Sequence, residues 1–144
     1  VTGACGLARG EPAAYGFAMK KLLLSFLAVL SSAMLASAGS ENVTPDQAEK
    51  LLKEKKDIVV LDVRTPEEFK SGHIAGAKNV DFMADDFKKQ VEALDKSKTY
   101  LLHCASGGRS TRALKILDED KFSQVYHLNG GFSAWKEAGK PVAK

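Results

Sequence analysis

Ile58 to Val63, Ile-Val-Val-Leu-Asp-Val, is an almost unbroken apolar run rich in β-branched residues. Such a run predicts a strand covered on both faces, which favours a parallel sheet. Upstream, Ala48, Leu51 and Leu52 recur at i, i+3 and i+4 among polar residues, the spacing of a short amphipathic helix. Thr44 suits its N-cap, Pro45 its first position and Gln47 the capping box. Thr65-Pro66-Glu67-Glu68 repeats the device and predicts a short helix through Phe69 that stops at Ser71-Gly72. Lys78-Asn79-Val80 reads as a short strand, and Phe82, Phe87, Val91 and Leu94 fall largely on one side of a following helix. Thr99 to His103 is the next strand, Ala113, Leu114, Ile116 and Leu117 mark the buried face of a helix after it, and Val125 to Leu128 is a further strand. Asn129-Gly130-Gly131 turns the chain into a last helix carrying Phe132 and Trp135, closed by Gly139 and Pro141. Strands and helices alternate throughout, so the expected class is α/β, a central parallel sheet flanked by helices on both faces. Sites in such sheets lie beyond the carboxyl ends of the strands, which singles out the loop after His103 and the segment after Asp62.

The N-terminal pattern is different. Met19-Lys20-Lys21 is a basic start, Leu22 to Leu35 is apolar with a few serines, and Ala36-Ser37-Ala38 is a small-x-small cleavage site before Gly39. Residues 19–38 are therefore expected to be a signal peptide, with a periplasmic or secreted destination for the domain at 39–144. The apolar run is shorter than the ~20 residues a membrane span needs, so no stable membrane anchor is expected. Residues 1–18 carry no periodic pattern and precede a good initiating methionine; they read as an over-extended start or an unstructured leader. The net charge of +3, with no polybasic block, argues against nucleic acid as a partner.

Cys5 leaves with the leader, so Cys104 is the one cysteine of the domain and no internal disulfide can form. With three dispersed histidines beside it, no metal site and no cofactor are expected. A lone thiol in an oxidising compartment is a liability unless it is used. Its setting is Leu101 to Arg112, Leu-Leu-His-Cys-Ala-Ser-Gly-Gly-Arg-Ser-Thr-Arg: a buried strand, a tight loop and a helix start. A helix N-terminus and a nearby cation lower a cysteine pKa from about 8.5 to roughly 3.5–7.5. Gly107 and Gly108 let backbone amides turn inward, and Arg109 adds a fixed positive charge. This pattern points to Cys104 as a nucleophile for an anionic substrate.

Three stretches together resemble the rhodanese family of sulfurtransferases. They are Asp62-Val63-Arg64 through Glu68-Phe69 to Gly72-His73-Ile74-Ala75-Gly76-Ala77, then Cys104 to Arg109, then Leu128-Asn129-Gly130-Gly131 with Ala134-Trp135. The likeness is to single-domain members, and in its exported form to the periplasmic phage-shock rhodaneses. It implies a five-stranded parallel sheet, a catalytic cysteine opening a six-residue loop, and a persulfide intermediate. Carried over, Cys104 accepts sulfur, the amides of Ala105, Ser106, Gly107, Gly108 and Arg109 surround it, and Arg109 meets the anion. The partners implied are a small anionic sulfur donor such as thiosulfate and an acceptor such as cyanide or a thiol, a protein thiol included.

Other polar residues near the site have plainer readings. Asp62, Arg64 and Glu68 are expected to be structural, Arg64 pairing Glu68 and Asp62 accepting local amides. His73 reads as a satisfied turn histidine, and strand alternation points His103 away from the Cys104 side. His127 and Trp135 read as core or near-core. Two rival functions are a non-enzymatic sulfur carrier or binding module, and a phosphatase or arsenate reductase of the same fold. The second uses five residues between Cys and Arg. Cys104 and Arg109 have four between them, a smaller ring that suits a sulfur atom better than a tetrahedral oxyanion.

Overall fold

Gly39–Val43 (β1) is a strand although four of its five residues are exposed; only Val43 is buried. The computed structural model describes residues 39–144, so the expected leader and signal peptide lie outside the described residues. β1 is followed by α1 (Pro45–Glu54), β2 (Val59–Asp62), α2 (Pro66–Lys70), β3 (Lys78–Asn79), α3 (Phe87–Glu92), β4 (Thr99–His103), α4 (Gly108–Glu119), β5 (Gln124–Leu128) and α5 (Gly131–Glu137). The strands form one five-stranded sheet in the order β1-β5-β4-β2-β3, every pair parallel. The fold class read from the sequence is therefore the observed one. Both proline-led helices carry the expected reciprocal caps, Thr44 with Gln47 and Thr65 with Glu68.

Two elements differ from their sequence reading. β1 has no apolar alternation of its own; it is held by in-register pairing with β5 from Gly39 opposite Gln124 to Val43 opposite Leu128. The helix expected to include Phe82 begins only at Phe87. Phe82 sits in the turns before it, where its ring packs edge-on to Phe87 at 5.0 Å.

Alternation along the central strands divides the core between the two faces. Leu61, Val63, Tyr100, Leu102 and Val125 pack with Phe87 and Val91 of α3 and Ala113 and Leu117 of α4. Val60, Leu101 and Leu128 pack on the opposite face with Ala48 of α1 and Phe132 and Trp135 of α5. Cys104 closes the first of these clusters at the carboxyl end of β4 and is only 1% exposed. The sheet thus delivers the thiol on the α4 side, beneath the N-terminus of that helix.

Candidate active site

The loop from Cys104 to Gly107 is shaped by what grips its backbone from outside. The turn into α5 places Gly131 against it: a Cβ there would stand 2.6 Å from the Cys104 carbonyl oxygen and 2.8 Å from that of Ala105, at a φ of +59°. With no side chain in the way, Phe132 N–H donates to Cys104 O at 2.8 Å and Ser133 N–H to Ala105 O at 2.9 Å. These bonds draw the first two carbonyls of the loop outward, leaving the later amides free to face the sulfur. Gly107 then takes the left-handed conformation, φ +111°, and caps α4.

Donors converge on Cys104 Sγ. The Gly107 amide lies 3.1 Å away and the Ser110 hydroxyl 3.4 Å away. Burial pushes the thiol pKa up, but the Ser110 hydroxyl and the amides of Ser110, Gly107 and Ser106 outweigh it, and the net direction is down. A sulfur placed in this way favours its ionised form, the form that acts as a nucleophile.

Arg109 stands one residue beyond the glycines, half-buried, with its fork closed on a carboxylate. Its two terminal nitrogens donate to Glu68 Oε2 at 2.7 Å and Oε1 at 2.8 Å. The Arg109 guanidinium holds the Glu68 carboxyl down at about 2, helped by the Thr65 amide against the opposing effect of burial. This corrects the expected Arg64–Glu68 pair. Arg64 instead bonds Asp62, with Nη2 to Oδ2 at 2.6 Å, and the Gly72 carbonyl at 2.8 Å, and lies over the Phe132 ring at 4.0 Å. Asp62 accepts the local Arg64 amide at 3.0 Å, as expected. The physical reason for the exchange is reach across the fold: α2 carries Glu68 toward the α4 N-terminus, while Arg64 turns back under the sheet end.

The histidines divide. His73 Nδ1 meets Phe69 O at 3.1 Å and its ring stacks on Phe69, a satisfied turn residue. His103 is fully buried on the face away from the sulfur, with Nδ1 3.1 Å from Cys104 O. Its Nε2 lies 3.7 Å from Asp62 Oδ2, beyond hydrogen-bond range, and burial holds the ring below its ordinary pKa against the opposing pull of the Asp62 carboxylate. His127 is near-core as read, but its role was missed: its Nε2 lies 2.8 Å from Ser110 Oγ, the hydroxyl beside the sulfur. Ser110 was missed too. The signal available was its position one residue past Arg109, in the first turn of α4. A groove of about 450 Å³ on the other face, rimmed by Lys53, Lys55 and Lys56 around Trp135, contains none of the loop residues. It does not bear on the sulfur.

A parallel α/β sheet that presents a buried, donor-ringed cysteine at a helix N-terminus defines a class of proteins built around one thiolate. Within that class the sequence matches the family model described as Rhodanese-like domain over residues 44–138, and the chain belongs to the rhodanese family. It is 42% identical to the chloroplastic Thiosulfate sulfurtransferase 16 of Arabidopsis thaliana, covering 57% of this chain and 77% of that one. It is 36% identical to the thiosulfate sulfurtransferase GlpE of Pseudomonas putida, covering 67% of this chain and 84% of GlpE. Three other curated relatives are matched over less than two thirds of their own length, 64%, 61% and 30%. Among solved structures, a rhodanese-related protein from Thermoplasma volcanium superposes with a TM-score of 0.64 at 28% identity, covering 72% of this chain and 97% of that one.

Proposed function

We propose that this protein is a sulfurtransferase that takes a sulfane sulfur from thiosulfate, or a similar anionic donor, onto Cys104 and passes it to a thiophilic acceptor such as cyanide or a thiol. The Cys104 thiolate attacks the outer sulfur of thiosulfate, the S–S bond of the donor breaks, and its electron pair leaves with sulfite. The product on the protein is a persulfide whose terminal sulfur is anionic. An acceptor then attacks that terminal sulfur and restores the Cys104 thiolate. The amides of Ala105, Ser106, Gly107, Gly108 and Arg109, with the α4 dipole, are the groups we assign to the negative charge of the persulfide. Arg109 is assigned to the incoming anion. Asp62, Arg64 and Glu68 are assigned to holding the surrounding turns.

The observation that carries this reading is Cys104, a residue only 1% exposed whose sulfur accepts from the Gly107 amide at 3.1 Å. The names of the Arabidopsis and Pseudomonas relatives support thiosulfate as donor. We further propose that the domain works outside the cytoplasm after cleavage behind Ala38, on the sequence pattern of residues 19–38.

The deciding experiment is the intact mass of the protein after incubation with thiosulfate. The expected gain is one sulfur atom, removed by cyanide or a small thiol and absent in Cys104→Ser, with negligible hydrolysis of an aryl phosphate. Folded wild type that gains no mass would favour the binding module, and robust phosphatase activity without sulfur uptake would favour the phosphatase.

A further inference from the structure

The hydroxyl beside the sulfur is one end of a chain of polar groups that crosses the sheet edge. Ser110 Oγ lies 3.4 Å from Cys104 Sγ, 2.8 Å from His127 Nε2 and 3.1 Å from Gly107 O. His127 Nδ1 in turn lies 2.8 Å from Asn42 Oδ1. Asn42 and His127 stand directly opposite one another in the β1–β5 register, so the contact is built into the pairing of the two strands. Ser110 is fully buried and His127 is buried.

Counting protons gives the chain a direction. An amide oxygen only accepts, so the proton of a neutral His127 ring belongs on Nδ1, and Nε2 is left with a lone pair. Ser110 has a single hydroxyl proton, and its shortest contact is to that lone pair. The hydroxyl oxygen, with its own lone pairs, is then turned toward the thiol. With Cys104 protonated, the order of donation is then S–H to Ser110 Oγ, Ser110 O–H to His127 Nε2 and His127 Nδ1–H to Asn42 Oδ1, the reverse of the donation that the Ser110 hydroxyl makes to the ionised sulfur.

We propose that His127 is the internal proton acceptor for the Cys104 thiol, reached through the Ser110 hydroxyl and oriented by Asn42. The thiol proton passes to Ser110 Oγ as the hydroxyl proton passes to His127 Nε2. The electron pair of the S–H bond stays on sulfur, bonds between heavy atoms are unchanged, and no oxidant or co-reactant is needed. The products are a thiolate and an imidazolium. The reversed chain then serves the anion: Nε2–H donates to Ser110 Oγ, and the hydroxyl donates to the thiolate beside the Gly107 amide. Burial lowers the His127 pKa, which keeps the resting ring neutral with its Nε2 lone pair free and disfavours the imidazolium except as the counter-charge of the thiolate.

The surroundings of His127 leave this chain as its one polar connection among the described residues. β1 contributes Asn42, with Glu41 alternating to the opposite face, and α1 packs on that opposite face over Tyr126 and Leu128. On α4, Arg109 is taken by Glu68 and Asp118 accepts from Ser40. Neither is bonded to His127. Cys104, at the end of β4, is the titratable group to which the chain leads.

The inference rests on Cys104 as the nucleophile, and its test avoids sulfur donors. The rate of iodoacetamide alkylation, followed by mass on the peptide containing Cys104, is measured against pH for wild type, His127→Gln, Ser110→Ala and the double variant. Each single variant should alkylate about ten-fold more slowly at neutral pH, its profile displaced upward by about one pH unit, since the thiolate fraction falls tenfold per unit of pKa. The double variant should be no slower than the worse single, because both substitutions cut the same chain. In the wild type, the NMR titration of the His127 ring should move to lower pH once Cys104 is blocked as an uncharged thioether. That readout holds even if Ser110→Ala does not fold. Unchanged alkylation profiles in folded variants, additive effects in the double, or a His127 titration indifferent to blocking Cys104 would each overturn the proposal. An unshifted profile with intact sulfur uptake removes the relay and leaves the sulfurtransferase; a shifted profile without sulfur uptake does the reverse.

Discussion

Glu68 and Arg109 act as one unit, which changes what a substitution at either should do. Their bidentate contact neutralises the cation nearest the loop, and the Cys104 charge is within its electrostatic reach. Removing Arg109 alone exposes a carboxylate to an incoming dianion. A charge-assisted hydrogen bond is worth about 1.5–3 kcal/mol, so Arg109→Ala should lower kcat/KM for thiosulfate by roughly 10- to 150-fold. Adding Glu68→Gln to that variant should recover part of the loss in steady-state kinetics. An Arg109→Ala enzyme with undiminished kcat/KM would put the anion elsewhere. The same pair has a signature in acid. The Glu68 carboxyl is held at about 2 against an ordinary 4.5, so its contribution to stability is complete above about 4.5 and is lost as pH falls through about 2. Denaturant titrations across that window should show a smaller acid loss in Glu68→Gln than in wild type.

Among the elements, the join between the Cys104 loop and the start of α5 leaves no room for a side chain at Gly131. Gly131 has backbone oxygens, not flexible side chains, at 2.6 and 2.8 Å from where a Cβ would go, and it sits at positive φ. Gly131→Ala therefore has to push the loop and α5 apart and carry backbone strain, each costing about 1–3 kcal/mol. The expected result is a lowered melting temperature together with a rise in the Cys104 pKa, because the bonds from Phe132 and Ser133 hold the loop in its amide-inward shape. Gly130→Ala is a useful contrast, since its Cβ would meet the Ala134 side chain and not the loop. It should destabilise with a smaller effect on the thiol. Equal effects on the Cys104 pKa would show that the loop does not depend on this join.

Taken as a whole, the described domain begins in a strand that contributes little core of its own yet closes one edge of the sheet. Cleavage behind Ala38 would leave that strand at the start of the exported chain, with Gly39 already paired opposite Gln124. Intact mass of protein recovered from the periplasm should fit a chain beginning at Gly39, and recovery of the uncleaved chain from the cytosol alone would remove the export proposal.

Several features were legible in one dimension because their causes are local. Proline after threonine with Gln47 or Glu68 three residues on is a complete capping device, and both helices start where it stands. The apolar runs at Val59–Asp62 and Thr99–His103 can be strands only if both faces are covered, which already implies a parallel sheet between helices. Cys104 followed by Ala-Ser-Gly-Gly-Arg marked the loop, since glycine and a helix start are what turn amides toward a sulfur. What the chain alone could not decide were the partners of groups far apart in sequence. Glu68 has two arginines within plausible reach, and the choice of Arg109 over Arg64 depends on where α2 and α4 lie, 41 positions apart along the chain. β1 is nearly all polar, so no periodicity announces it; pairing with β5 makes it a strand. Asn42 and His127 meet only through that pairing, across 85 positions. Local signals decide where elements begin and which residue is proposed as the nucleophile, because they act through the backbone of their neighbours. The electrostatics of that nucleophile belong to the tertiary structure, because hydrogen bonds and ion pairs act over a few ångströms of space and take no account of distance along the chain.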